Sequence, residues 1–220
     1  MTVDHLISEA TPPLRPGDTV EYALGLLMEL RVRHLPVVGE EKAILGILSE
    51  DVLLDAATPD EVVRDLIVGE PVTVGSQDHV FEVARLMMEH DLTTVPVLKD
   101  GRYGGLVRRH DLFEWFARSL STHAPGAILA LEIMPRDYAL SRLVHAIEQA
   151  DVRVLSIGTE QPQSADAAIR VTVKINAREA SRARAMLERE GYRIVAAFGE
   201  EEDDQDLADR VQAFMRYLEV

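Results

Sequence analysis

The stretch TTVPVLKDGRYGGLVRRHDLFEWF, residues 93–116, has two apolar segments on either side of a polar turn, followed by residues with helical spacing. The turn KDGR contains the Asp-Gly pair that favours tight hairpins, so the pattern predicts strand, turn, strand and then helix. Two adjacent arginines and an aspartate, Arg108, Arg109 and Asp111, stand where that helix begins. This cluster, just after a pair of glycines, is the first candidate for a functional site.

The same pattern occurs earlier in the chain. When the sequence is compared with itself at an offset of sixty positions, identical residues recur over about three dozen positions without a gap. The matches include Val3 with Val63, Leu6 with Leu66, Asp18 with Asp78, Leu26 with Leu86 and Pro36 with Pro96. A fixed offset of this length indicates a duplicated supersecondary unit.

Each copy is predicted to form a helix, a β-hairpin and a second helix. In the first copy Asp18 and Glu21 have the spacing of a capping box at the start of the first helix. The apolar residues with helical spacing are Val20, Ala23, Leu24, Leu27 and Met28. Met28, Met87 and Met88 are therefore predicted to lie in the core or in a dimer interface, and not in a metal site.

Composition limits the classes of function. With 220 residues, 47% of them apolar, the chain forms one large domain or two small ones, and its net charge of -15 argues against nucleic acid as a partner. No apolar segment predicts a signal peptide or a membrane span, so we expect no membrane partner and a cytoplasmic location. The absence of cysteine excludes thiol catalysis and disulfides.

The second half of the chain follows a different pattern. After the linker SLSTHAPGA, residues 119–127, the repeat stops. The periodicity then predicts strand, helix, strand, strand, helix and strand, in the segments ILALEI, ALSRLVHAIEQA, VRVLSIG, AIRVTVKI, REASRARAMLERE and RIVAAF. The order β-α-β-β-α-β is that of a ferredoxin-like domain.

The repeated unit resembles the CBS domain, in which a helix is followed by a hydrophobic-Pro-Val strand, a turn, and a strand that contains glycine before another helix. CBS domains occur in pairs, and we expect repeats at residues 1–60 and 61–122. The resemblance implies a Bateman module with two clefts for adenosine ligands: AMP, ADP, ATP or S-adenosylmethionine. It implies no covalently bound cofactor and no metal.

In that family a serine or threonine three residues after the glycine, and an aspartate six residues after it, contact the phosphates and the ribose. The two glycines here are Gly46 and Gly105. The first copy has Ser49 at the third position, but Val52 at the sixth. The second copy has Asp111 at the sixth position, but Arg108 at the third. Each copy keeps half of the motif.

The resemblance implies that Asp111 contacts a ribose, because a carboxylate is a strong acceptor for hydroxyl groups. Arg108 and Arg109 suit a phosphate at a helix N-terminus. The alternative is that both arginines pair with surface carboxylates and that Asp111 is a first-turn acid. In the first copy Ser49 is favoured as a helix N-cap. The cleft that uses Asp111 is therefore the predicted site.

Two further positions are candidate ligand contacts. His34 precedes the first Leu-Pro-Val segment, and Thr94 stands at the equivalent place in the second copy. In the family this strand approaches the ligand. The alternative is that both are solvated polar residues at the start of a strand.

The βαββαβ segment, residues 127–200, resembles an ACT domain, a small regulatory module that is often dimeric. Many ACT domains bind amino acids beside a Pro-Gly-x-Leu turn, but here Tyr138 occupies the place of the glycine. A tyrosine would fill the space that glycine leaves for a ligand. A dimerising or structural role is therefore at least as well supported as amino-acid binding.

Residues 201–220 combine an acidic segment with an amphipathic pattern that predicts a C-terminal helix. Its apolar residues are Leu207, Val211, Phe214, Met215 and Leu218. A helix of this kind packs back on its own domain or forms a partner surface, and the first is favoured.

The predicted fold class is mixed, α+β or α/β, with tandem CBS repeats and a C-terminal ferredoxin-like ACT-type domain. The predicted function is that of a regulatory sensor for an adenosine ligand, in a homodimer that acts on an unidentified protein. The alternative is a ligand-free dimeric scaffold with degenerate motifs. An enzyme is disfavoured, because no nucleophile-base arrangement or phosphate-binding loop is evident. Chains of this layout resemble proteins associated with acetoin utilisation.

Overall fold

The computed structural model describes residues 1–8, 11–160, 162, 164 and 167–199. The chain divides into two compact units, Met1–Trp115 and Phe116–Val220. The first unit contains both copies of the repeat. The acidic segment and the helix predicted for residues 201–220 lie outside the described residues.

The first unit has the predicted order of elements. The first copy consists of α1 (Val20–Leu30), β1 (His34–Val38), β2 (Ile44–Ser49) and α2 (Glu50–Leu54). The second copy consists of β3 (Val74–Gly75), α3 (Val80–Glu89), β4 (Thr94–Lys99), β5 (Arg102–Arg108) and α4 (Arg109–Ser119). Single 3-10 turns occupy Val3–Leu6, Glu40–Lys42 and Val63–Leu66.

Helix α1 begins one residue later than the capping box predicts. Thr19 is the N-cap, and its hydroxyl accepts the Tyr22 N–H at 3.2 Å. Asp18 instead accepts the Arg15 N–H at 2.7 Å, within the preceding turn. The predicted core stripe is also shifted, because Leu26 is buried and Met28 is exposed.

Each copy builds a small sheet around its hairpin. β1 pairs antiparallel with β2, and Leu14 forms a parallel bridge to Val37 on the other side of β1. In the second copy β3 takes the place of Leu14, running parallel to β4, which pairs antiparallel with β5.

Each copy is bonded to the segment that precedes the other copy. The Ser8 N–H donates to the Leu106 carbonyl on β5 at 2.8 Å, so the segment before the first copy joins the second. In return, the Val63 N–H donates to the Asp18 carbonyl in the first copy at 2.9 Å. The two copies therefore share their backbone hydrogen bonds and form one unit.

Glycines make this exchange sterically feasible. A Cβ on Gly105, whose φ is +132°, would lie inside the van der Waals contact distance of the Ile7 side chain. A Cβ on Gly46 would lie 2.5 Å from Cγ2 of Ile67, the residue that corresponds to Ile7 in the repeat. Both glycines therefore have a packing role at the crossing segments.

The copies also meet directly, where β1 and β4 begin. The Thr94 hydroxyl donates to the His34 carbonyl at 2.8 Å, and Thr94 is fully buried. The His34 Nδ1 accepts the Thr93 N–H at 3.3 Å and lies 3.1 Å from the Thr93 hydroxyl. The Arg33 N–H donates to that same hydroxyl at 2.9 Å. We name this group of residues, 33–34 and 93–94, the copy junction.

The second unit has the predicted βαββαβ order. Its elements are β6 (Ile128–Ile133), α5 (Leu140–Glu148), β7 (Val154–Glu160), β8 (Ile169–Ile175), α6 (Ser181–Arg189) and β9 (Arg193–Phe198). The strands form one antiparallel sheet in the order β7-β8-β6-β9. Alternate residues of β6 and β8 are buried against the helices with Leu143 and Ile147.

Gly105→Ala should lower the free energy of unfolding of the first unit by about 2 kcal/mol or more. The new Cβ would be strained at positive φ and would push against Ile7. Urea unfolding followed by the fluorescence of the single tryptophan, Trp115, measures the effect. Gly25→Ala is the control: it lies in α1 with open space around it and should stabilise by about 1 kcal/mol. Equal stability of wild type and Gly105→Ala would contradict the packing role.

The copy junction should make stability depend on pH. Burial, and then the charge of Arg33, lower the pKa of His34. In the fold its Nδ1 accepts the Thr93 N–H. Below the ordinary histidine pKa of 6.5 the unfolded chain takes up a proton that the folded chain resists. The stabilisation is therefore complete above that pH and is lost as the pH falls through the lower pKa of the folded state.

The measurement is the unfolding free energy at intervals between about pH 7.5 and pH 5, for wild type and His34→Gln. Charged groups near His34 are Arg33, Asp91, Arg109 and Asp51, and they are present in both proteins. The difference between the two curves should shrink on acidification. Parallel curves would show that His34 does not titrate as the structure indicates.

Candidate functional site

A cleft of about 400 Å³ lies between the two copies. It is bounded by the crossing segment, by the turn after β1 and by the start of β5. The residues that line it include Ser8, Thr11, Val38, Lys42, Tyr103 and Gly105. The cleft therefore exists because the crossing segment passes from β5 of the second copy back to the first copy.

Residues that line this cleft carry polar groups with unused hydrogen-bonding capacity. The Tyr103 hydroxyl is buried and has no hydrogen-bond partner among the described residues. Burial raises the pKa of Tyr103 to about 12, so the group is a neutral phenol that can donate. The Ser8 and Thr11 hydroxyls lie 3.2 Å apart. A buried phenol without a partner is costly, and a ligand acceptor would relieve that cost.

Lys42 adds a positive charge at the edge of the cleft. It stands in the turn between β1 and β2, where Glu41 and Lys42 have φ values of 52° and 62°. Within the described ranges no ion pair to the Lys42 ammonium is found, whereas Glu41 lies 3.5 Å from Arg102. The cleft thus combines a neutral donor with a cation.

The arginine-aspartate cluster at the start of α4 is paired internally. The Arg108 Nε and Nη2 donate to the two Asp111 carboxylate oxygens at 2.8 and 2.7 Å. Only 31% of the Arg108 side chain and 20% of the Asp111 side chain are exposed. The hydrogen bonds from Arg108 to Asp111 raise the pKa of Arg108, so the guanidinium stays charged.

The pair still has capacity for a ligand. An ionised carboxylate accepts about four hydrogen bonds and a guanidinium donates five, and each uses two here. β5 runs from Gly105 at the cleft to Arg108, a distance of roughly 10 Å at the usual rise per residue. The cleft and the pair therefore lie at the two ends of one short segment of strand.

Arg109 has a different role from its neighbour. Its guanidinium donates to the Leu92 carbonyl at 2.7 and 3.2 Å and to Asp91 at 3.1 Å. It thereby ties the start of α4 to the turn after α3. In the first copy Arg33 makes the comparable connection to Glu50 and Asp51. These contacts of Arg109 hold the start of α4 against the turn after α3.

The remaining candidate residues make structural contacts. The Ser49 hydroxyl caps α2 by accepting the Val52 N–H at 3.2 Å. His34 and Thr94 bond to each other across the copy junction. The structure brings the six candidate residues close together where the two hairpins meet. Thr94 lies opposite Arg108 in the β4–β5 hairpin, His34 lies opposite Ser49 in the β1–β2 hairpin, and the bond from Thr94 to the His34 carbonyl joins the two.

The residues that line the cleft were missed by sequence reasoning. Tyr103 follows a predicted turn and carries no motif, and Ser8 lies in a segment with no predicted strand. The repeat did contain a signal, because Ser8 corresponds to Val68 in the second copy. A repeat position that is polar in one copy and apolar in the other indicates that the two copies differ in chemistry there.

The second unit contains a larger cavity, of about 1010 Å³, beside the connection from β6 to α5. Most of its charges are already paired: Arg193 lies 3.1 Å from Glu132 and Arg136 lies 3.4 Å from Asp137. Tyr138 packs against the core cluster of the unit. We therefore regard the cleft in the first unit, with its unpartnered phenol, as the better candidate site.

No group of three or more histidine, aspartate or glutamate side chains is arranged to hold a metal ion among the described residues. None of the helices that the structure describes is both long and apolar enough to cross a lipid bilayer.

Known proteins resemble part of this chain. An uncharacterized protein of Methanocaldococcus jannaschii is 24% identical over 147 residues, which cover 61% of this chain and 52% of that protein. A homoserine O-acetyltransferase of Methanobrevibacter ruminantium is 27% identical over 99 residues, 44% of this chain and 20% of the enzyme. The chain thus spans about half of the first relative and a fifth of the second.

Solved structures resemble this chain over about half of its length. The AcuB protein of Vibrio cholerae is 22% identical, with a TM-score of 0.50, and the match covers 56% of this chain and 95% of that one. The protein CBSX2, solved in complex with AMP, is 26% identical, with a TM-score of 0.47 and coverage of 53% and 96%.

The family model of the CBS domain matches twice, at residues 3–58 and 63–118, together just over half of the chain. These ranges contain the two copies of the repeat, including the exchanged segments. The chain belongs to the CBS domain family and carries a tandem CBS pair.

Proposed function

We propose that this CBS pair is a regulatory sensor that binds an adenosine-type ligand, AMP, ADP, ATP or S-adenosylmethionine, in the cleft between the copies. The observation that carries the proposal is the cleft with the buried, unpartnered Tyr103 hydroxyl. Membership of the CBS family supports the ligand class. Asp111, at the family position for a ribose contact, supports the orientation.

The proposed ligand lies along β5. Its base occupies the cleft, where Tyr103, Ser8 and Thr11 offer hydroxyl groups to ring nitrogens or an exocyclic amine. Its ribose lies near Asp111, and its phosphates or charged tail lie near Arg108, which has donors left after pairing with Asp111. Arg109, Ser49, His34 and Thr94 act indirectly in this arrangement, by holding the elements around the cleft.

Binding is coupled to the arrangement of the two copies. Val38 and Lys42 belong to the first copy and Tyr103 to the second, so a ligand contacts both. A ligand shifts an equilibrium only by binding one arrangement more tightly than the other. We propose that the ligand stabilises the arrangement in which the cleft is closed, and that a partner protein recognises this state.

The second unit has the role of a dimerising or signal-transmitting module in this proposal. The sheet order β7-β8-β6-β9 and the buried face beneath two helices support an ACT-like assignment. The packing of Tyr138 on the core favours a structural role over amino-acid binding. We propose a regulatory protein without catalytic activity of its own, acting in the cytoplasm, with no nucleic-acid or membrane partner.

A ligand-free scaffold is the second candidate function. The mutual pairing of Arg108 and Asp111 favours it, because each neutralises the charge that a ligand would use. Val52, in the place of the aspartate of the first copy, favours it as well. In that case the module acts as a dimer that binds another protein.

Isothermal titration with AMP, ADP, ATP and S-adenosylmethionine separates the two candidates. We expect saturable binding of at least one ligand. Asp111→Asn should weaken it on the order of 10- to 100-fold, since hydrogen bonds to a charged group contribute about 1.5–3 kcal/mol. Asp51→Asn is the matched control, because Asp51 is an exposed acid that pairs with Arg33 outside the cleft. Flat traces for all four ligands would favour the scaffold.

Tyr103→Phe tests the position of the base. It removes only the hydroxyl, so the fold should be kept or stabilised, because an unpaired buried polar atom is lost. Affinity for the bound nucleotide should fall about 10-fold. An unchanged dissociation constant would place the base elsewhere, even if Asp111→Asn weakens binding.

A further inference from the structure

Helix α4 starts at the candidate site and ends in the second unit. Its residues, Arg109–Ser119, follow Arg108 directly, and Asp111 lies in its first turn. The boundary between the two units falls after Trp115, within the helix. Helix formation is cooperative, and a helix of 11 residues is only about 16 Å long. A contact that orders the last turn of α4 can therefore also order its first turns.

A Schellman motif closes α4. Ser121 has a left-handed φ of 54°, and its N–H donates to the Arg118 carbonyl at 3.0 Å. The Thr122 N–H donates to the Ala117 carbonyl, also at 3.0 Å. Glycine is the usual residue at the left-handed position, because a side chain is disfavoured there. The motif leaves the carbonyls of Leu120 and Thr122 for other donors.

Two side chains of the sheet in the second unit donate to these remaining carbonyls. The Ser156 hydroxyl on β7 donates to the Leu120 carbonyl at 2.9 Å. The Lys174 ammonium on β8 donates to the Thr122 carbonyl at 3.1 Å. A cation at this place also interacts favourably with the negative end of the helix dipole. Both bonds lie within the second unit, and we name Ser156 and Lys174 the α4 clamp.

A β-bulge brings the two clamp residues to the same place on the sheet. The pairing of β7 with β8 shifts between Val154 and Ser156, so that Ser156 lies opposite Lys174. Without the shift Ser156 would lie opposite Val173, which is fully buried, and would point into the core. Bulges commonly redirect a side chain in this way. The bulge therefore places the Ser156 hydroxyl on the face opposite the core, where it reaches the end of α4.

We propose that the α4 clamp couples the second unit to the CBS cleft, because it orders α4 from its end and so holds Arg108 and Asp111 in place for a ligand. The ligand part of this inference rests on the proposed function. A helix that is already ordered loses less conformational entropy when a ligand binds at its start. The coupling is reciprocal, so a bound ligand also strengthens the clamp.

Hydrogen exchange of the full chain, without ligand, measures the coupling along α4. In the double variant Ser156→Ala with Lys174→Met, the last turn of α4 loses its two donors from the sheet. The amides of residues 113–115, in the part of α4 that belongs to the first unit, should then exchange about 5-fold faster. This is the effect of losing about one typical hydrogen bond from the helix.

The matched control is the double variant Arg170→Met with Thr172→Ala. It removes a cation and a hydroxyl from the same face of β8, where Arg170 pairs with Glu160 at 3.6 Å. Exchange in α4 should match that of the wild type. Faster exchange confined to residues 117–122 in the clamp variant would overturn the proposal, because the clamp would then only cap the helix end.

Isothermal titration with AMP, ADP, ATP and S-adenosylmethionine tests the link to the cleft. The dissociation constant of the ligand that the wild type binds should rise about 5-fold in the clamp variant, the lower end of typical coupling between sites. The control variant should bind like the wild type. An unchanged dissociation constant in the clamp variant would overturn this inference and leave the proposed function standing. Flat traces for the wild type would overturn the proposed function, and hydrogen exchange would still decide the coupling along α4.

Ser121→Gly tests whether the effect passes through the end of the helix. Glycine is favoured at this left-handed position, so the substitution should restabilise the last turn in the clamp variant without restoring its bonds to the sheet. Slower exchange in α4 and recovery of part of the lost affinity are expected together. Slower exchange with no recovery of affinity would show that the clamp acts by another route, and would overturn the role of α4.

Discussion

The exchange of segments between the two CBS copies is the constraint on which the rest of the first unit depends. The segment before the first copy bonds to the second hairpin through Ser8 and Leu106, and the segment before the second copy bonds to the start of the first copy through Val63 and Asp18. The exchange requires a residue without a side chain at Gly46 and Gly105, where an isoleucine crosses each strand. It also creates the cleft, because the crossing segment forms one of its walls.

The two copies have the same backbone fold, but their side chains differ at the positions of the candidate site. Arg108 and Asp111 occupy the positions that Ser49 and Val52 occupy in the first copy. Ser8 likewise corresponds to Val68. Because Ser8 crosses to β5, its hydroxyl lies along the same strand as Arg108, while the corresponding positions of the other copy carry Val68 and Ser49.

Periodicity and the repeat were sufficient to predict the helix-hairpin-helix units and the βαββαβ order. Both are local patterns of buried and exposed residues, such as those of β6 and β8. It was harder to predict which of two neighbouring side chains would cap a helix. Thr19 and Asp18 are both good caps, and only the turn around Arg15 decides between them. The Leu24–Met28 side of α1 borders an open groove, where Met28 is exposed and Leu24 is partly buried.

The site was only partly predictable for the same reason. The motif placed Arg108 and Asp111 at one helix end, but their pairing depends on rotamers that the motif does not specify. Arg109 was expected at a phosphate, yet a backbone carbonyl on the turn after α3 lies within its reach. Tyr103 and Ser8 meet only because distant segments cross, which no local pattern encodes.

The exchange of segments also bears on synthesis at the ribosome. The Ser8 N–H cannot form its backbone hydrogen bond until Leu106, about a hundred residues later, has been synthesised. At typical rates of about 5–20 residues per second, the first copy spends several seconds outside the ribosome with an unpaired strand edge and an exposed apolar crossing segment. Non-local closures of this length slow folding. The nascent first copy is therefore a natural client for a chaperone until the second copy emerges.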